Sequence, residues 1–98
     1  MIKSYIIPAD GHKSFYGKAI LIDDEKGTRT LESYNTPVCK LVSDGAFIKL
    51  WDGYSATTMR HVNGFRAHCR LPQINKAAWD RLETGKKYQC MTLESMEG

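Results

Sequence analysis

No established catalytic signature occurs anywhere in this chain of 98 residues. A Walker-type phosphate loop, a Gly-x-Ser-x-Gly elbow and a His-Glu-x-x-His zinc motif are all missing, so nothing supports an NTPase, a serine hydrolase or a zinc protease. Long apolar runs are missing too, which excludes a membrane-spanning helix. The N-terminal Met-Ile-Lys-Ser-Tyr-Ile-Ile-Pro has a lysine but no stretch of signal-peptide length, so a cytoplasmic protein is expected. Cysteine is sparse. Cys39, Cys69 and Cys90 stand far apart with no Cys-x-x-Cys pair, which argues against a disulfide framework and a structural zinc site. Buried free thiols are the expected state. The acidic groups are scattered: Asp23-Asp24-Glu25 sits in a turn signal, and Asp80 and Glu83 sit on a short helix. A two-metal nuclease needs convergent carboxylates, and only Glu32 lies in a strand body. No cofactor, no metal ligand and no enzymatic activity are expected.

One further absence is positional. No Asp or Glu lies between Asp52 and Asp80, while Arg60, Arg66, Arg70, His61 and His68 all do. The net charge of +3 is too mild to predict nucleic-acid binding by itself.

The chain reads as a single small domain over residues 1–98, with residues 94–98 a frayed tail. Residues 2–7 form a short strand that stops at Pro8, and residues 9–13 a loop. Residues 15–22 alternate as a strand, and Gly27 closes the polar turn that follows. Residues 30–42 form one long extended segment. Pro37 interrupts it and cannot donate to a ladder, which predicts an edge or a bulge. Ser43-Asp44-Gly45 signals a hairpin, and residues 46–51 return, with Phe47, Lys49 and Trp51 on one face. Ser55 caps a helix that runs to Arg70, where Leu71-Pro72 ends it. Asn75 caps a second, shorter helix, with Ile74 stapled onto Trp79 and Gly85 at its C′ position. Residues 88–93 form a last strand. The expected fold is α+β: a three- to four-stranded antiparallel meander packed by one main helix, with a second short helix.

On a helical wheel Thr58, Val62, Phe65 and Cys69 fall on one core stripe. Arg66, Arg70 and Met59 flank it on one side, and Thr57, His61, Gly64 and His68 on the other. His61 and His68 are too far apart to share a metal ion, since helical ligand pairs sit at i, i+4. Cys69 and His68 point about 100° apart and cannot form a nucleophile pair with each other. Each residue also has a plain reading: half-buried boundary histidines, solvated arginines and core-plugging aromatics at Trp51 and Tyr54. The candidate partner- or nucleic-acid-binding residues are Trp51, Tyr54, Thr57, Arg60, His61, Arg66, His68, Arg70 and Lys76.

Three stretches carry a resemblance: Lys13-Ser-Phe-Tyr-Gly-Lys-Ala19, Thr30-Leu-Glu-Ser-Tyr-Asn-Thr-Pro-Val-Cys39, and Trp51-Asp-Gly-Tyr-Ser-Ala-Thr-Thr-Met-Arg-His-Val-Asn-Gly-Phe65. Together they resemble a family of small proteins encoded by bacteriophages and other bacterial mobile elements. Gly64 departs from its pattern, which favours a larger helix former there. The resemblance implies a non-enzymatic accessory protein that binds a host protein or ribonucleoprotein in the bacterial cytoplasm. Inhibition of a host defence nuclease, as by anti-CRISPR proteins, is one form of that. The alternative is a DNA- or RNA-binding domain, with Lys18, Lys40 and Lys49 of the strands joining the basic helix on phosphates. No membrane partner is expected.

Overall fold

The computed structural model describes residues 1–6 and 18–96. The loop expected over residues 9–13, the stop at Pro8 and the first part of the 15–22 strand lie outside them. Among the described residues the elements are β1 Ile2–Tyr5, β2 Ala19–Asp23, β3 Arg29–Ser33, β4 Thr36–Leu41, β5 Ala46–Lys49, α1 Ala56–His68, α2 Lys76–Arg81 and β6 Lys87–Gln89. The strands form one sheet in chain order, each antiparallel to the next. Both helices are inserted between β5 and β6. The described residues are therefore mostly β, with six strands, and this corrects the expected α+β fold of three or four.

The extra strands have local causes. Residues 30–42 are two strands, because Tyr34 and Asn35 take φ of 51° and 67° and close a tight hairpin. Asn tolerates that conformation, whereas Tyr seldom adopts it, so the turn leaves little trace in the sequence. β1 pairs with β2 and extends the sheet on one side, and β6 pairs with β5 on the other. The expected last strand, residues 88–93, stops at Gln89. The Gln89 side chain accepts from the N–H groups of Met91 and Thr92 at 2.7 and 2.9 Å and turns the chain. Residues 94–96 then run back along β6, with Gln89 N donating to Glu94 O and Met96 N to Lys87 O. Residues 97–98 of the expected tail lie outside the described residues.

Pro37 sits at a bulge, as its missing donor predicts, but not at an edge. The register slips so that Glu32 faces Pro37 and Leu31 faces Cys39, leaving Val38 as the extra residue. Val38 O accepts from both Leu50 N and Trp51 N. This bulge sets where the chain leaves β5 for α1.

Cross-strand register sorts the two faces. Leu21, Leu31, Cys39, Leu41, Phe47 and Tyr88 share the covered face and form the core with Met59, Val62 and Phe65 of α1. Lys49 shares that face as well and is 3 % exposed. Its ammonium donates to Trp79 O and Leu82 O at 3.0 and 3.3 Å, at the C-terminal end of α2. It also lies 4.7 Å from the Trp79 ring centroid. Lys49 therefore cannot reach a phosphate, which corrects its expected role.

Ser55 caps α1 as expected, its Oγ accepting from Thr58 N. The helix ends at His68, two residues short of the predicted Arg70. Leu71 N donates to Arg66 O and Arg70 N to Ala67 O, and Arg70 takes φ 62°. That is a Schellman motif with arginine in the left-handed C′ position. Asn75 caps α2 through Ala78 N. Gly85, expected at the C′ position of α2, lies beyond its Leu82 cap and at φ 87° serves the turn into β6. Asn63 ties the helices together, exchanging two hydrogen bonds with the backbone of Ile74.

Candidate functional site

α1 is buried over a far wider arc than its apolar stripe. Met59, His61, Gly64 and Arg66 are buried along with Thr58, Val62 and Phe65. Cys69, expected within the stripe, is only half-buried. Both flanks read as contact surfaces therefore lose their central residues to the interior.

Arg66 is completely inaccessible. Its Nε donates to Pro72 O at 2.8 Å and its Nη2 to Cys90 O at 2.9 Å, while the guanidinium lies 4.9 Å from the Phe47 ring centroid. It bolts the α1–α2 connection to the segment after β6 and cannot meet a partner. Its Nη1 is buried without a hydrogen-bond partner. Burial works against its positive charge, and the neighbouring Cys39, Cys69 and Cys90 are all free thiols. Burial pushes the Cys39 and Cys69 thiols up, so the nearby guanidinium does not make them reactive.

His61 is also interior, at 1 % exposure. Its Nδ1 lies 2.7 Å from Ser33 Oγ, and its ring meets Tyr34 at 5.6 Å between centroids. Burial, then the positive charges of Arg60 and Lys18, hold its pKa down to about 4. His61 is thus neither a surface contact nor a companion of His68, which is exposed. Among the described residues no three His, Cys, Asp or Glu side chains converge as a metal set.

The remaining predicted residues fall into two groups, with Trp51 apart from both. Thr57, Arg60 and His68 lie exposed on α1, with exposed Arg70 just past its end. Tyr54 and Lys76 sit together elsewhere, the ammonium 5.0 Å from the ring centroid and also paired with Asp80. Trp51 is half-buried and lines a cleft of about 190 Å³ with Ser33, Tyr34, Thr36, Val38 and Thr58. A Cβ on Gly53 would lie 2.4 Å from Trp51 Cζ2, so that glycine lets the indole lie against the backbone.

Ser33, Tyr34 and Thr36 escaped the sequence reading because the hairpin they flank did. One signal was available: Ser33 alternates with Leu31 on the core face, and a buried hydroxyl there demands a partner.

The sheet's opposite face carries a second feature. The register aligns Lys3, Ile22, Thr30, Lys40, Ile48 and Lys87 in one row across all six strands. At the usual strand spacing that row spans about 24 Å. Lys87 also pairs with Asp44 at 3.2 Å.

No helix among the described residues is long and apolar enough to cross a membrane. No curated protein and no solved structure matches the chain. Residues 4–81 match a family described as being of unknown function, DUF8033. Since that match takes in β2 to β5 and both helices, the chain belongs to the DUF8033 family.

Proposed function

We propose that this protein is a non-enzymatic accessory protein of a phage or mobile element that binds an anionic host macromolecule. A ribonucleoprotein, such as a defence nuclease with its bound nucleic acid, is the favoured partner class. The carrying observation is the outward side of α1, where Arg60, His68 and Arg70 are exposed in a stretch without a single carboxylate. Such a surface steers toward negative charge. The mobile-element origin comes from the resemblance carried by the Trp51–Phe65 motif.

The non-enzymatic reading draws on the Ser33–His61 pair. A nucleophile and a base at 2.7 Å have the right spacing for covalent chemistry. A general base works best with a pKa near the operating pH, and an imidazole held near 4 is a weak one. The pair is better placed to join β3 to α1.

The test is capture from host lysate at low salt, comparing the wild type with Arg60→Glu/Arg70→Glu. A specific partner lost from the charge-reversed variant is the expected result. Equal recovery by both proteins overturns the use of this face.

The lysine row favours a second reading, direct nucleic-acid binding on the sheet face opposite α1. Lys40→Gln/Lys87→Gln should then lower the slope of log affinity against log salt by roughly 1.5 to 2.

A further inference from the structure

We propose that the cleft between the β3–β4 hairpin, Trp51 and the first turn of α1 holds the base of a single nucleotide, with Lys18 beside it for the phosphate. The inference rests on the anionic-partner reading and adds the chemical group that is recognised.

The cleft has the chemistry of a flat, neutral, polar ring. Two aromatic side chains, Trp51 and Tyr34, stand in its wall. The indole lies against Gly53, and Tyr34 keeps 52 % of its surface exposed at the hairpin tip. Exposed aromatic faces of this kind stack bases regardless of sequence. Thr36 and Thr58 add hydroxyls, while Ser33 Oγ is committed to His61 Nδ1. A hydroxyl both donates and accepts, so it suits the mixed amide and carbonyl edge of a base. Thr58 Oγ1 accepts from Ser55 Oγ at 2.9 Å and keeps its own proton to give. No charged residue lines the cleft among the described residues, so an ionised ring substituent finds no partner inside it.

Charge lies beside the cleft instead. Lys18 Nζ is 5.8 Å from the Tyr34 ring centroid and is exposed. Arg60 precedes His61 on α1 and is exposed as well. A base in the cleft would direct its phosphate toward Lys18. The same chemistry could come from a free nucleotide or from a single strand.

The experiment follows backbone amides by nuclear magnetic resonance during titration with uridine monophosphate and, separately, a short oligothymidine. Shifts at Ser33, Thr36, Thr58 and the Trp51 indole N–H are expected. If both probes produce them, a free nucleotide suffices; if the strand alone does, the ligand is single-stranded nucleic acid. Tyr34→Gly removes the ring yet suits the positive φ of 51°, so the hairpin should survive. It should weaken strand binding by about fivefold to more than a hundredfold. Silence at these amides with both probes overturns the inference and leaves the cleft to a protein side chain. Strand binding that is lost in Arg60→Glu/Arg70→Glu but unchanged in Tyr34→Gly removes the cleft while sparing the anionic-partner reading. Binding unaffected by either change removes both.

Discussion

Ser33 Oγ and His61 Nδ1 meet at 2.7 Å in the buried seam between β3 and α1. Removing one partner of a buried hydrogen bond leaves the other unsatisfied, at a cost of about 1–3 kcal/mol. Ser33→Ala should destabilise the protein by that amount. Urea denaturation checks it: the midpoint should fall while the m-value stays constant. An unchanged midpoint would mean that the bond contributes nothing.

The same imidazole sets a pH dependence. Unfolded, it titrates near its ordinary value of 6.5; folded, at about 4. Between these values the unfolded chain binds a proton that the folded chain refuses. Stability therefore falls as pH drops from 6.5 toward 4, and this contribution is fully lost below the lower value. Thermal unfolding across that window should show the decline, and His61→Gln should flatten it.

Arg66 is a structural bolt, so its removal should appear as lost stability. Arg66→Met fills similar space but orphans Pro72 O and Cys90 O. It also removes a buried charge whose Nη1 has no hydrogen-bond partner, which offsets part of the loss. A net destabilisation of about 2 kcal/mol is expected from these opposed terms. Partner capture per folded molecule should not change. A binding defect with native stability would return Arg66 to the contact surface.

Arg70 holds φ 62° at the C′ position of α1. A non-glycine residue there carries about 1–2 kcal/mol of steric cost. Glycine relieves it but loses more chain entropy on folding. Arg70→Gly should therefore stabilise by about 0.5–1 kcal/mol, read from the urea midpoint. Destabilisation instead would mean that the arginine side chain holds a contact worth more than the backbone strain.

Gly27 makes the opposite case. At φ 103°, with Ser43 Cβ only 2.6 Å from where its own Cβ would stand, it joins the β2–β3 turn to the β4–β5 turn. Gly27→Ala should cost about 1–3 kcal/mol. Adding Ser43→Gly should recover the steric part and leave the backbone part, a non-additivity that a double-mutant cycle measures.

Signals confined to a few neighbouring residues were legible in the sequence. Ser55 and Asn75 cap their helices, Pro37 marks a bulge, and Ser43-Asp44-Gly45 closes its hairpin. The Tyr34-Asn35 turn was not legible, because a tyrosine at positive φ looks like any strand residue. Losing that turn merged β3 and β4 into one strand and hid the cleft beside it. The wheel identified Val62 and Phe65 as core, yet it could not show that Ser33 and the 72–90 backbone would close over His61 and Arg66. Burial of those two polar side chains depends on partners 28 residues before His61 and 24 after Arg66.

The insertion of both helices between β5 and β6 has a kinetic consequence. β2 through β5 are joined by short turns and can zip up pair by pair. β6 cannot dock until α1 and α2 have brought the chain back, and that long loop must close before its contacts repay the entropy. The Arg66 bond to Cys90 O forms only at this step. β6 and the returning residues 94–96 should therefore be the last part of the sheet to fold and the first to exchange amide hydrogens, while β2, β3 and β4 hold the slowest protons.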